Sequence, residues 1–188
     1  MISHDKQFIF IHPGKCGGTS IKRGLETLSN RTKPKFRLIK PPGHMNLSIA
    51  EKIVTEAGGI FENYFKFTMV RNPWDLLVSW YYHYLTAHGL VEVDKPFESW
   101  LFKRGLKYKW ENFEVFDHVI RLENINSDYR ELLKKLSLSP VDLKYHITHN
   151  TIRVREKHYS EYYTEHTAAI VHEKYNHVIN KFEYKFKL

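Results

Sequence analysis

The sequence predicts an α/β fold, a three-layer sandwich with a central mostly parallel sheet flanked by helices. Three observations predict it. Apolar, β-branched and aromatic runs bounded by polar or turn residues recur at 8–11, 64–70 and 116–122, the pattern of short strands buried on both faces. Stretches with apolar residues at helical spacing lie between and after them, so strands alternate with helices. The first two strands run straight into turn chemistry, His12-Pro13-Gly14 and Arg71-Asn72-Pro73, and ligands of such sheets bind beyond the carboxyl ends of the strands.

The first strand, Phe8-Ile9-Phe10-Ile11, is followed by His12-Pro13-Gly14-Lys15-Cys16-Gly17-Gly18-Thr19-Ser20. Glycine accepts positive φ and carries no Cβ, so this turn lets the backbone approach a ligand closely. Ile21, Leu25 and Leu28 then fall at helical spacing, with Thr19 or Ser20 placed to cap the helix. Strand, glycine loop with one lysine and helix N-terminus together make a phosphate cradle, in which N–H groups, the positive dipole end and an ammonium converge. It is not a Walker A loop. That motif has Ser or Thr directly after its Lys to reach magnesium, whereas here Cys16 follows Lys15 and the glycine pair comes after.

Residues 30–40 read as an exposed basic connection around Pro34, with a short strand at 36–39, and Pro41-Pro42-Gly43 delivers His44. Ser48 is placed to cap a helix over 49–56 that Gly58-Gly59 ends. After the second strand, Pro73 suits the first turn of a helix carrying Leu77, Val78, Trp80, Tyr81 and Tyr84 and ending near Gly89. A further helix follows Pro96, on Phe97, Trp100, Leu101 and Phe102. Beyond the third strand, 126–136 reads as a helix with Tyr129, Leu132, Leu133 and Leu136 on one face. Residues 144–159 are basic and lack periodicity. Residues 162–182 read as one long terminal helix, with Val171, Tyr175, Val178, Ile179 and Phe182 as its buried stripe. No repeat, low-complexity tract or linker divides the 188 residues, so one domain is expected.

Apolar residues at 42% and aromatics at 15% exclude a disordered chain. The net charge of +8, from 29 basic and 21 acidic side chains, points to an anionic ligand or partner. That charge is spread along the chain, which argues against a basic nucleic-acid-binding module. A lone cysteine, Cys16, excludes a disulfide within this chain. The polar start Met1-Ile2-Ser3-His4-Asp5-Lys6-Gln7 predicts no signal peptide, and no apolar run has the length of a membrane span, so a soluble, cytoplasmic protein is expected. The 12 histidines are scattered, and His146-Ile147-Thr148-His149 lacks further ligands, so no metal site is expected.

Two strand-end motifs stand together: the loop from His12 to Ser20, and Val70-Arg71-Asn72-Pro73-Trp74-Asp75-Leu76-Leu77-Val78-Ser79-Trp80-Tyr81. They resemble the 5′-phosphosulfate loop and the 3′-phosphate motif of sulfotransferases that use 3′-phosphoadenosine 5′-phosphosulfate (PAPS). The match is most similar to the carbohydrate sulfotransferase branch, whose loop typically reads Pro-Lys-Thr-Gly-Gly-Thr-Ser. Similarity extends through Arg121-Leu122-Glu123-Asn124-Ile125, the basic loop around Asn150 and the Tyr162-Tyr163-Thr164 lead-in to the terminal helix, nearly the whole chain. The resemblance implies a P-loop-like, single sulfotransferase-like domain over 1–188. Its implied reaction is in-line transfer of a sulfonate from PAPS to a hydroxyl of a carbohydrate or glycosylated acceptor, without a metal.

By that resemblance, Lys15 contacts the 5′-phosphate and the oxygen bridging to sulfur, neutralising charge as the S–O bond breaks. Cys16, Gly17, Gly18, Thr19 and Ser20 surround the same phosphate, Cys16 through its backbone N–H and the rest through N–H or hydroxyl donors. Arg71 grips the 3′-phosphate through its planar fork, and Ser79, eight residues on, adds a hydroxyl. Arg153 and Arg155, with Lys157, close over the nucleotide. His44 is the base, since the related carbohydrate enzymes place a base histidine in a loop after the first helix, and an imidazole suits proton abstraction from an alcohol. His12 and Glu123 are its rivals, and Trp74 packs. Two departures stand out: Leu76 occupies a position where the family often has Arg, and Gly14 and Cys16 replace the usual Pro and Thr. The alternative enzyme is a nucleotide kinase or other phosphoryl transferase using the same loop, against which stand the missing Lys-Ser/Thr pair and magnesium-binding carboxylate. The aromatic residues Trp80, Tyr81, Tyr82, Tyr84 and Trp100 read foremost as core, with a sugar site as their other use. Acceptor identity and oligomeric state are not written in the sequence.

Overall fold

The computed structural model describes residues 1–41, 45–90, 96–110, 112–143 and 157–187. They form two compact units, one of Met1–Val70 and Asn112–His146 and one of Arg71–Glu111 and Ile147–Leu188, so neither is a continuous stretch of chain.

The first unit is α/β and holds the sheet, with strands β1 (Ile2–Ser3), β2 (Phe8–Phe10), β3 (Phe65–Val70) and β4 (His118–Arg121) in that spatial order. β2 and β3 are parallel, with Phe8 opposite Phe65, and β3 and β4 are parallel, with Phe67 opposite His118 and Val70 opposite Arg121. The two-residue β1 runs antiparallel at the edge. Phe8, Ile9 and Phe10 are fully buried, as a strand covered on both faces demands. The rings of Phe10 and Phe67 stack across the parallel pair at 4.8 Å.

Helix α1 (Gly18–Arg31) buries the expected stripe of Ile21, Leu25 and Leu28. Helix α2 (Leu47–Glu56) starts earlier than the sequence suggests, because Asn46 rather than Ser48 caps it, its Oδ1 accepting from the Ile49 N–H at 2.9 Å. The strand expected at 36–39 shrinks to a bridge between Ile39 and Ile2, since the edge it would join is only two residues long. Helix α5 (Ile125–Lys135) follows β4 and buries Tyr129, Leu132 and Leu133.

His118 in β4 is buried, with Nε2 3.1 Å from the Asp128 carbonyl and Nδ1 3.2 Å from the Lys135 ammonium. A carbonyl and an ammonium fix the tautomer: Nε2–H donates and Nδ1 accepts. Burial holds the imidazole below its usual pKa, outweighing the carbonyl bond, and Lys135 acts in the same direction as burial. The folded protein therefore resists protonation that the unfolded chain accepts. Stability is unaffected by this group at alkaline pH and declines as pH falls through the ordinary imidazole range near about 6.5. His118→Gln is expected to flatten the acid side of a thermal-melting profile against pH; parallel wild-type and variant profiles would remove His118 as a contributor.

The second unit is helical among the described residues: α3 (Pro73–Ala87), α4 (Phe97–Lys103), α6 (Glu165–Lys174) and α7 (Asn176–Lys181). Its core is aromatic, built on Trp74, Tyr81, Trp100 and Tyr175 with Leu85 and Val171. The single terminal helix read from the sequence is divided. Thr164 caps α6 and exchanges hydrogen bonds with Thr167, which fixes a start three residues into the predicted span. Tyr175 then leaves helical geometry at φ −116°, its buried hydroxyl donating to the Gly105 carbonyl at 3.2 Å. Val171, Tyr175, Val178 and Ile179 are buried as expected, while Phe182 is only partly covered. No helix among the described residues is long and apolar enough to cross a membrane.

Candidate functional site

In the first unit, strand pairing continues one residue past β2, the Ile11 N–H donating to the Phe67 carbonyl at 3.0 Å, and the chain then turns. Lys15 and Gly17 both take positive φ, 65° and 82°. Left-handed residues interleaved in a turn gather successive N–H groups into an anion-binding concavity. Cys16, between them, is wholly buried.

Gly17 is the N-cap of α1 and so supplies no side-chain cap, and no acidic residue lies in the first turn. The capping expected of Thr19 or Ser20 does not occur because both already lie inside the helix, which begins at Gly18. The Ser20 N–H donates to the Gly17 carbonyl at 3.0 Å, so it is engaged within the start of the helix. A Cβ on Gly18 would sit 1.9 Å from His12 Cδ2, so the His12 ring packs against this glycine; it also stacks on Phe10, with ring centroids 5.9 Å apart. A Cβ on Gly17 would meet Leu122 Cδ1 at 2.6 Å. The turn between β4 and α5 thus buttresses the glycine loop, a role the sequence reading did not assign to residues 121–125. Asp128 holds that turn, accepting from the Arg121 N–H at 2.9 Å and from Arg121 Nε at 3.3 Å. Glu123 is exposed.

The second motif opens the second unit. Arg71 follows Val70, the last residue of β3, and Asn72 caps α3, its Oδ1 accepting from the Trp74 N–H at 3.1 Å. Arg71 Nε donates to Asp75 Oδ2 at 2.6 Å, with both side chains largely buried. Asp75 orients the guanidinium, and sequence reasoning missed it; the signal was the i,i+4 spacing of Arg and Asp at a helix start. Ser79 is buried one and a half turns into α3. Leu76 is 1% exposed, so core packing fills the position where the family often places Arg. Trp74 is a packing residue, its Nε1 donating to the Ala168 carbonyl at 3.0 Å.

Residues 1–107, which contain both motifs, match the Sulfotransferase family. The chain belongs to the sulfotransferase family. This is a PAPS-dependent family of enzymes. No curated protein and no solved structure matches the chain.

Of the remaining residues assigned to this sulfotransferase from its sequence, His44, Arg153 and Arg155 lie outside the described residues. The flanks of the His44 segment, Pro41 and Met45, line a small cavity of about 20 Å³ together with His12, Lys22 and Lys40. Among the described residues no group of three His, Cys, Asp or Glu side chains stands placed to hold a metal ion.

Proposed function

We propose that this sulfotransferase moves a sulfonate from PAPS to a hydroxyl of a carbohydrate or glycosylated acceptor by direct in-line transfer. The observation that carries the donor assignment is the glycine-entered, side-chain-uncapped start of α1 directly after Lys15. Such a helix start favours a phosphate through its N–H groups and dipole. Lys15 holds the 5′-phosphate and the bridging oxygen, Cys16, Gly17 and Gly18 present backbone N–H groups, and Thr19 and Ser20 present hydroxyls. Arg71, oriented by Asp75, takes the 3′-phosphate with Ser79, and Arg153 and Arg155 close over the nucleotide. As the acceptor oxygen bonds to sulfur, the S–O bond to the 5′-phosphate breaks and His44 takes the hydroxyl proton. The P-loop-like, three-layer arrangement expected from the motifs belongs to this reading.

Calorimetric titration with 3′-phosphoadenosine 5′-phosphate (PAP), beside ATP with magnesium, tests the donor assignment. Tight binding of PAP and weak binding of ATP is the expected result; the reverse order would point to phosphoryl transfer instead. Within the same experiment, Arg71→Ala is expected to weaken PAP by about 10- to 100-fold, the loss of charge-assisted bonds to a phosphate. Asp75→Asn is expected to give a smaller loss, because it leaves the guanidinium in place but loosens its orientation. Unchanged PAP affinity in Arg71→Ala would take Arg71 out of the donor site.

A further inference from the structure

Beyond α7 the chain of the second unit turns back across its own core. Glu183 takes φ 55°, the Tyr184 N–H donates to the Ile179 carbonyl at 2.9 Å, and the Glu183 N–H reaches the Asn180 carbonyl at 3.4 Å. These two bonds close a Schellman turn, which ends the helix and leads the chain away from its axis. Residues 184–187 then run without regular secondary structure past the 3₁₀ turn Tyr159–Tyr162. The Tyr159 hydroxyl clips this segment on both sides of Phe186. The Lys187 N–H donates to it at 3.2 Å, and it donates to the Lys185 carbonyl at 3.5 Å. The partly buried Phe186 ring lies among Trp74, Tyr159 and Tyr163, with centroids 5.4, 5.9 and 5.7 Å away. None of the roles assigned above uses this segment.

What Phe186 covers is the start of α3. Trp74 is the second residue of that helix and is 2% exposed. His172 stacks on its ring at 6.2 Å, and the Tyr163 hydroxyl donates to its backbone carbonyl at 2.9 Å. The next residue is Asp75, whose Oδ2 holds Arg71 Nε at 2.6 Å. Asn72 Oδ1 accepts from the N–H groups of both Trp74 and Asp75, at 3.1 and 3.5 Å. First-turn N–H groups have no partner within a helix, so caps and tertiary packing decide how firmly that turn is held. A shift of Trp74 therefore carries Asp75 and the guanidinium with it. We infer that residues 184–187 are a strap on the first turn of α3, and that Phe186 and Tyr159 are positioning residues for the Arg71–Asp75 pair. The functional part of this inference rests on the reading above that Arg71 takes the 3′-phosphate. A planar fork tolerates little misalignment, so the strap sharpens the choice of a 3′-phosphorylated nucleotide over one without that phosphate.

The test compares PAP with adenosine 5′-monophosphate, which lacks the 3′-phosphate, by calorimetry on the full chain. The ratio of the two affinities isolates what the 3′-phosphate contributes. Phe186→Ala and Tyr159→Phe are each expected to lower that ratio by about three- to tenfold, less than loss of the guanidinium itself, with adenosine 5′-monophosphate affinity unchanged. Tyr159→Phe removes only a hydroxyl, so it remains informative if Phe186→Ala folds poorly. Phe186→Tyr keeps the ring and is expected to keep the wild-type ratio. In an Asp75→Asn background the effect of Phe186→Ala on the ratio is expected to shrink, since both changes act through one guanidinium. Hydrogen exchange at the Trp74 and Asp75 amides needs no ligand and is expected to speed up in Phe186→Ala and Tyr159→Phe. Equal weakening of both nucleotides, full additivity with Asp75→Asn, or an unchanged ratio beside a lowered one in Arg71→Ala would overturn the positioning role and leave the donor reading intact. An unchanged ratio in Arg71→Ala would overturn the donor reading. Faster amide exchange in the two variants would then still uphold the strap on α3, and unchanged exchange would overturn the strap as well.

Discussion

Replacing Lys15 with Ala is expected to lower the turnover of PAPS by about 10²- to 10³-fold, the usual cost of removing one preorganised group from a position where charge develops. Negative charge grows on the 5′-phosphate oxygen as the bond to sulfur breaks, and an ammonium at the loop answers it when it is needed most. Lys15 is half-exposed and takes φ 65°, a strained backbone that Ala tolerates no worse than Lys, and the α1 stripe of Ile21, Leu25 and Leu28 lies elsewhere. The measurement is PAP released from PAPS under single-turnover conditions, with PAP affinity measured in parallel. A large fall in rate beside a small change in PAP affinity assigns Lys15 to the transition state. A variant within a few-fold of wild type would show that the loop's backbone alone carries the phosphate.

The sequence made this loop legible because its determinants are local. Phe8-Ile9-Phe10 is apolar enough to be buried on both faces, and Pro13, Gly14, Gly17 and Gly18 around Lys15 mark a tight turn. What it did not show depends on residues distant along the chain. The cap of α1 falls at Gly17 rather than Thr19 or Ser20, and Leu122, over a hundred residues on, packs where a Gly17 side chain would stand. Asp75 lay in plain view, yet its bond to Arg71 becomes evident only once Asn72 caps α3 and places Asp75 on the first turn, in reach of the arginine just before the cap. The terminal helix was misread as continuous for the same reason. Its apolar stripe is periodic through Ile179, but the Tyr175 hydroxyl is fixed by a carbonyl 70 residues away, and no helical pattern records that. Aromatic residues were ambiguous in sequence because Trp80 and Tyr81 are chemically alike; only burial separates the wall of a cavity from the interior of a core.

Replacing His44 with Ala is expected to reduce acceptor-dependent transfer by about 10²- to 10⁴-fold, the range of a positioned general base, while PAP affinity stays nearly intact. The contest is with His12. That ring is packed on Gly18 and sits beside Phe10, so moving it disturbs the glycine loop itself. His12→Ala is therefore expected to weaken PAP and transfer together, whereas a base on the acceptor side affects transfer alone. The chain on both sides of residues 42–44 lines the same small cavity as His12, which makes the His44 segment a neighbour in sequence of groups already at the loop. The pH profile separates the roles further. A base must be neutral to accept a proton, so wild-type kcat/KM is expected to rise with pH through the imidazole range near about 6.5. In His44→Gln the residual activity is expected to lose that rise, and in His12→Gln to keep it. An unaltered profile and rate in His44→Gln would assign the proton to another group, with His12 the first to try.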